Sequence, residues 1–253
     1  TAFDTMAWWA RSGLMDIVRP SENSPPANPP IGMGDQPTGV ALFASIMTAL
    51  YRREKTGKGG EVHTSLMANG AWSNGSFIQA GLFGAQFPDR SEPSPLHPFG
   101  GRYKTKDNRY LILAIIDANK EWPKLLKALD IEYLNDDPRF SSFKKMNENY
   151  ISLYEELEKI FIQYSLEEIN EKLRFSEVTY GILSHSKDHS KDQQFIESEV
   201  LVKFDQGSFD EDFMTINSPI FLEKESKKIP TKAPKLGEHT KEILLALGRD
   251  EEE

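Results

Sequence analysis

The sequence of 253 residues contains no cysteine. That excludes a disulfide framework, a thiolate nucleophile and any thiol-ligated metal. No apolar run approaches the roughly 18 residues of a membrane span, and no signal peptide opens the chain, so the expected location is cytoplasmic, with no membrane partner. Positive charge is also short: the formal net charge is -9 and the pI is about 5.2. A broad basic face is what a phosphate backbone requires, and its absence excludes nucleic acid as a partner. An anionic ligand would have to be met by a local patch. What is present, 38% hydrophobic residues over this length, is enough for one large or two modest domains with real cores.

The most informative stretch runs from Ile31 to Met67. Val40, Phe43, Ala44, Met47, Leu50 and Tyr51 recur at three- and four-residue spacing, which predicts a helix from about Thr38 to Arg53 with one apolar stripe. Arg52, Arg53 and Lys55 crowd its last turn, where the carbonyl end of the helix dipole favours cations, and Gly57 and Gly59 break it. Val62, Thr64 and Leu66 then alternate, predicting a short strand from Glu61 to Leu66. Ahead of the helix stands Asp35, flanked by Gly32 and Gly34, which allow close approach of a ligand. By spacing alone a carboxylate there is equally a plain helix cap.

Phe3, Met6, Ala7, Ala10 and Leu14 form a helix-like stripe around Trp8 and Trp9. A loop rich in Pro, Ser and Asn follows from Pro20 to Pro37 and delivers Asp35. Met67 to Phe83 reads as a helix with Asn69 and Asn74 on its surface, and the Pro-rich connection Gln86 to Gly101 marks a domain boundary. Beyond it the pattern predicts two strands around a turn at Lys106-Asp107-Asn108 within Arg102 to Ile116, and a helix from Trp122 to Leu129. Helices are also predicted at about Asn147 to Gln163 and Ser165 to Phe175, the second opened by a Ser165–Glu168 capping box. Strands are expected between Phe204 and Phe221, and a last helix from His239 to Leu247. His185 and His189 have the spacing of helical metal ligands, but their polar, lysine-bearing surroundings read as a solvated loop, and no metal is assigned.

Two ordered blocks resemble the signature of the family III CoA-transferases, the group that holds formyl-CoA transferase, carnitine CoA-transferase and the alpha-methylacyl-CoA racemases. The first is Gly34-Asp35, Thr38-Gly39 and the run Ala49 to Gly59 with the segment after it; the second is Ala233 to Thr240 followed by Glu242-Ile243-Leu244 and Leu247-Gly248. His97 to Gly100 and Tyr103 to Asp107 match more loosely. The resemblance implies an α/β fold: part of a Rossmann-like large domain plus a smaller α+β domain. Residues 1–90 would be a large-domain portion carrying the Asp35 loop, 91–200 the small domain, and 201–253 a return to the large domain. It also implies that the sequence corresponds to the C-terminal two-thirds of such an enzyme, with the upstream part covalently attached or a separate chain.

By the same resemblance Asp35 is the catalytic nucleophile, exchanging CoA between an acyl-CoA donor and a carboxylic acid through an aspartyl-CoA thioester. Coenzyme A enters as the substrate thioester, and no metal is involved. Gly34, Arg52, Arg53, Lys55 and Lys58 are the expected CoA-binding residues, with backbone amides from Gly34 to Thr38 as an oxyanion site. The family assembles as interlocked homodimers. In its racemase branch a histidine stands where this chain has Phe3, and two-base proton exchange needs that titratable partner, so transfer is expected over racemisation. A racemase and a non-catalytic subunit are the alternatives. Trp8, Trp9, Met33 and Phe99 are candidates for an apolar acyl pocket, or for core packing.

Overall fold

A computed structural model describes residues 3–87, 90, 97–203 and 214–249. A π-helical segment, Thr5–Ala10, is followed by α1 (Leu14–Ile17), α2 (Asp35–Thr56), α3 (Leu66–Ser73) and α4 (Gly75–Leu82). Strands β1 (Arg102–Lys104) and β2 (Tyr110–Leu113) precede α5 (Ala118–Leu129), α6 (Phe143–Glu148), α7 (Tyr150–Phe161) and α8 (Leu166–Leu173). The chain continues through β3 (Tyr180–Ile182), α9 (Gln193–Glu197), β4 (Leu201–Lys203), β5 (Met214–Ile216) and α10 (Thr240–Ala246). This is the mixed α/β class expected. Two units emerge, Thr1–Gly101 with Ser142–Glu156, and Arg102–Ser141 with Leu157–Glu253.

The second unit holds most of the buried apolar residues. Strand β2 is central in a three-stranded antiparallel sheet, between β1 and β3, and its Leu111 and Leu113 are fully buried with Tyr103 of β1. Helix α5 buries Trp122, Leu125, Leu126 and Leu129 along one stripe, while α8 contributes Leu166, Ile169 and Leu173. The predicted turn forms at residues 105–108, where Asn108 takes a left-handed φ of 59°. Thr105 Oγ1 donates to Asp107 Oδ1 at 2.6 Å, and Asp107 Oδ1 also accepts from the Leu166 amide at the head of α8. These bonds, the Thr105 hydroxyl foremost, hold the Asp107 carboxyl below its ordinary value. The capping box at Ser165–Glu168 is present. Burial pushes the Glu121 carboxyl up, but hydrogen bonds from Thr179 outweigh it and the net displacement is downward. His185 and His189 lie on a stretch tied down by Asp188, which pairs with Arg109 at 2.6 Å. The His189 ring bonds the Ser186 carbonyl and packs edge-on to Phe195.

Three sequence expectations are corrected in the first unit. The helix expected over Met67 to Phe83 breaks at Asn74, which closes α3 and opens α4. Asn74 is buried, not on a helix surface, because its amide donates to the Ser12 carbonyl at 2.6 Å. The strand expected from Glu61 to Leu66 is absent: residues 61–65 join no ladder among the described residues, and Leu66 already begins α3, capped by Ser65 accepting from the Ala68 amide. A strand needs a neighbour, and no described strand lies beside this one. In the same unit α6 ends at Asn149, dividing the helix expected from Asn147 to Gln163. Of the strands expected between Phe204 and Phe221, residues 204–213 lie outside the described residues; Met214–Ile216 forms β5, paired antiparallel with β4.

A candidate active site at the head of helix α2

Asp35 is the first residue of α2, which begins earlier than the apolar stripe alone indicates. Pro37 is accommodated because first-turn amides have no intrahelical acceptor. Gly34 is the cap residue and is buried, whereas Asp35 is exposed. The capping alternative does not describe Asp35: its carboxylate accepts no hydrogen bond among the described residues. The backbone before it is instead fixed by Asp4, a buried carboxylate thirty residues upstream that accepts from the Gly34 amide at 3.3 Å.

The packing around Gly34 explains why it is glycine. A Cβ there would come within 2.6 Å of Trp8 Cβ and Cγ, so the Trp8 side chain packs directly against the backbone that presents Asp35. Gly70 of α3 meets the same residue from another side, where a Cβ would approach the Trp8 carbonyl oxygen to 2.4 Å. Trp9 stacks on Trp8 at 6.0 Å between ring centroids and donates its indole N–H to the Ala27 carbonyl at 2.9 Å, anchoring the Pro-rich loop that leads to Asp35. Both tryptophans are core residues, while Met33 is exposed and Phe99 is buried beside the His97 ring.

The amides available to an oxyanion are fewer than the sequence suggested. Gly34 N–H is engaged by Asp4, Gln36 N–H by the Gly32 carbonyl and Thr38 N–H by the Gly34 carbonyl, and Pro37 has none. Within that run only the amide of Asp35 itself is left without an acceptor among the described residues.

The predicted CoA-binding residues gather at the opposite end of α2. Seventeen residues separate Asp35 from Arg52, about 25 Å at the rise of an α-helix. There Arg53 meets Glu54 at 3.3 Å, and Lys55 stands over the Tyr51 ring. The Arg52 guanidinium occupies the space a side chain at Gly60 would need, and Arg52 lines a groove of about 470 Å3 with Ser45, Thr48, Glu61 and His63. Gly57, at φ 68°, ends the helix and donates to the Arg53 carbonyl, as the glycine pattern predicts, and Lys58 follows it, exposed. Of the expected residues, therefore, only Gly34 adjoins Asp35; the four cations form a separate cluster. Trp8 was a candidate for an acyl pocket by sequence; what sequence reasoning missed is that Asp4 and Trp8 fix the Gly34 backbone, since a contact across about thirty positions has no local signal. No group of three or more His, Cys, Asp or Glu residues suited to a metal occurs among the described residues, and no described helix is long and apolar enough to cross a membrane.

The sequence pattern of the family described as CoA-transferase family III matches residues 1–240. The chain belongs to CoA-transferase family III. It is 32% identical over 252 residues to an (R)-2-hydroxy-4-methylpentanoate CoA-transferase of Clostridioides difficile, covering 99% of this chain and 62% of that protein. It is 26% identical over 255 residues to a cinnamoyl-CoA:phenyllactate CoA-transferase of Clostridium sporogenes, covering 99% and 61%. The fold is that of a CaiB/BaiF family protein from Brucella suis, with a TM-score of 0.79 at 23% identity, covering 96% of this chain and 62% of that one. This family III chain thus spans about three fifths of the length of these relatives.

Proposed function

We propose that this chain carries the nucleophile of a CoA-transferase and that the nucleophile is Asp35. The observation that carries the reading is the exposed, unengaged Asp35 carboxylate on a backbone held rigid by Asp4 and Trp8. A Asp35 carboxylate oxygen attacks the donor thioester carbonyl; the C–S bond breaks, CoA thiolate leaves and a mixed anhydride forms. The thiolate attacks the aspartyl carbonyl, releasing the donor acid as carboxylate and leaving an aspartyl-CoA thioester. The acceptor carboxylate then attacks that thioester, and the expelled thiolate attacks the acceptor's acyl carbon, freeing Asp35. Splitting one exchange into four acyl transfers is the gain of covalent catalysis, and the free Asp35 amide supplies one oxyanion donor.

We place the acids in the class of 2-hydroxy acids with an apolar side chain, because two relatives carry such acids in their names. Arg52, Arg53, Lys55 and Lys58 are assigned to the phosphate end of CoA, whose extended form suits charges held well away from the reacting carboxylate. Phe3 offers no titratable group where a racemase needs one, which favours transfer. The reading includes a cytoplasmic homo-oligomer, residues 1–90 and 201–253 as parts of a large domain, and 91–200 as a small one. Asp35→Ala, made in the protein expressed in its own host, tests it. Transfer should disappear while circular dichroism is unchanged, since an exposed side chain without partners is removed. Retained exchange in that variant refutes the role of Asp35.

A further inference from the structure

A cavity of about 560 Å3 opens between α1 and α4 in the first unit, and neither Gly34 nor Asp35 lines it. Its apolar wall is made by Ile17, Phe77, Ile78 and Phe87. The Phe77 and Phe87 rings stack with centroids 6.0 Å apart, an aromatic pair whose faces attract a cation. An apolar wall of this volume with a few polar groups is the usual make-up of a small-molecule site.

The polar groups of the wall divide into engaged and open ones. Arg90 is engaged: its Nη2 donates to the carbonyls of Asp16, Ile17 and Arg19 at 2.9, 3.3 and 2.7 Å. Its Nη1 lies 3.7 Å from the Asp16 carboxylate, which also pairs with Arg19. The Ser12 hydroxyl donates to the Trp9 carbonyl and accepts from the Leu14 amide. Asn74 is different. It is 5% exposed, and its Nδ2 donates to the Ser12 carbonyl at 2.6 Å, which sets the amide's orientation and turns Oδ1 away from that bond. Asn74 stands at the N-cap of α4, yet its side chain caps no amide, and Oδ1 accepts no hydrogen bond among the described residues. A buried acceptor without a donor is costly. Glu22 is the second open group, an exposed carboxylate with no partner among the described residues. Arg90 and Asp16 offset one another, so Glu22 leaves the wall with an uncompensated negative charge.

We infer that this cavity binds a small organic amine in its ammonium form, carried on an apolar body of phenylalkyl size. The ammonium donates to Asn74 Oδ1 and faces the Glu22 carboxylate, while the body lies against Ile17, Ile78 and the Phe77–Phe87 pair. An anion is disfavoured, because the Arg90 guanidinium is already held by Asp16 and three carbonyls. The site depends on the fold and not on the chemistry proposed for Asp35, and its test reads no turnover.

Titration calorimetry of the protein purified from its own host, with phenethylamine as the probe and phenethyl alcohol as its neutral match, tests the assignment. The expected result is saturable binding of the amine, at least about tenfold tighter than that of the alcohol, as a hydrogen bond from a charged donor in place of a neutral one implies. Glu22→Gln alters an exposed side chain without partners, so the fold should be unchanged; it should weaken the amine by about fivefold and leave the alcohol as it was. Phe87→Ala should weaken both. Equal binding of the two probes, amine binding that either variant leaves unchanged, or no saturable binding at millimolar amine overturns the assignment.

Discussion

Helices α2 and α5 are built from similar signals and meet opposite fates. Helix α2 has 22 residues, an apolar stripe and a glycine stop, and buries nothing. Helix α5 has 12 residues, a side-chain cap from Asp117 and an αL stop at Asp130, and buries five residues including Trp122, Leu125 and Leu126. The difference lies in what surrounds them: α5 packs on α8 and on the turn at Glu132–Asn135, whereas α2 contacts chiefly α3. Helix stability comes mostly from tertiary packing of one face. In this chain α5 is therefore part of a core, whereas the apolar stripe of α2 stays exposed.

The contrast is broken most forcefully at Leu125, which is fully buried. Leu125→Ala should cost about 2–5 kcal/mol, as large-to-small core changes do, read as a fall in the urea midpoint of the second unit. A smaller effect is expected at Gly34→Ala, where the new methyl meets Trp8. Overpacking of about 1–3 kcal/mol should lower the thermal midpoint of the first unit and slow transfer, because the backbone that carries Asp35 must shift.

Acid should separate the two units further. The Asp107 and Glu121 carboxyls are held below their ordinary values of 3.8 and 4.5 in the fold. Groups depressed in the folded state contribute stability that is fully present above the unfolded-state value and is lost as pH falls through the folded-state one. The second unit should thus keep a constant urea midpoint above about pH 5 and lose stability below pH 4, and Asp107→Asn should flatten that loss. The smallest effect belongs to α2: Phe43→Ser should change the stability of this chain by no more than about 0.5 kcal/mol, as exposed substitutions do. A large loss there would mean that α2 is packed as α5 is.

The legible parts of the fold were those with local chemistry. The Ser165–Glu168 capping box, the turn with Asn108 in the left-handed region, the Gly57 stop and the stripe of α5 each need only a few neighbouring residues, and each is present. The missing strand at Glu61 to Leu66 and the break at Asn74 depend on partners elsewhere, a neighbouring strand in one case and the Ser12 carbonyl in the other, which alternation and helical period do not report. The site divides the same way. Asp35 was visible through its glycines and the helix that follows. The contacts of the Asp4 carboxylate and of Trp8 with Gly34 were not, since they come from a segment about thirty residues away. The separation between Asp35 and the Arg52 cluster was present in the sequence as a count of residues along one helix.

The measurement that tests the central claim most directly is peptide mass spectrometry of the protein from its own host after incubation with branched and aryl 2-hydroxyacyl-CoA donors and hydroxylamine. The account predicts a donor-dependent hydroxamate on the peptide containing Asp35, formed from the activated aspartyl carbonyl. A protein that transfers CoA under the same conditions while Asp35 stays unmodified contradicts it.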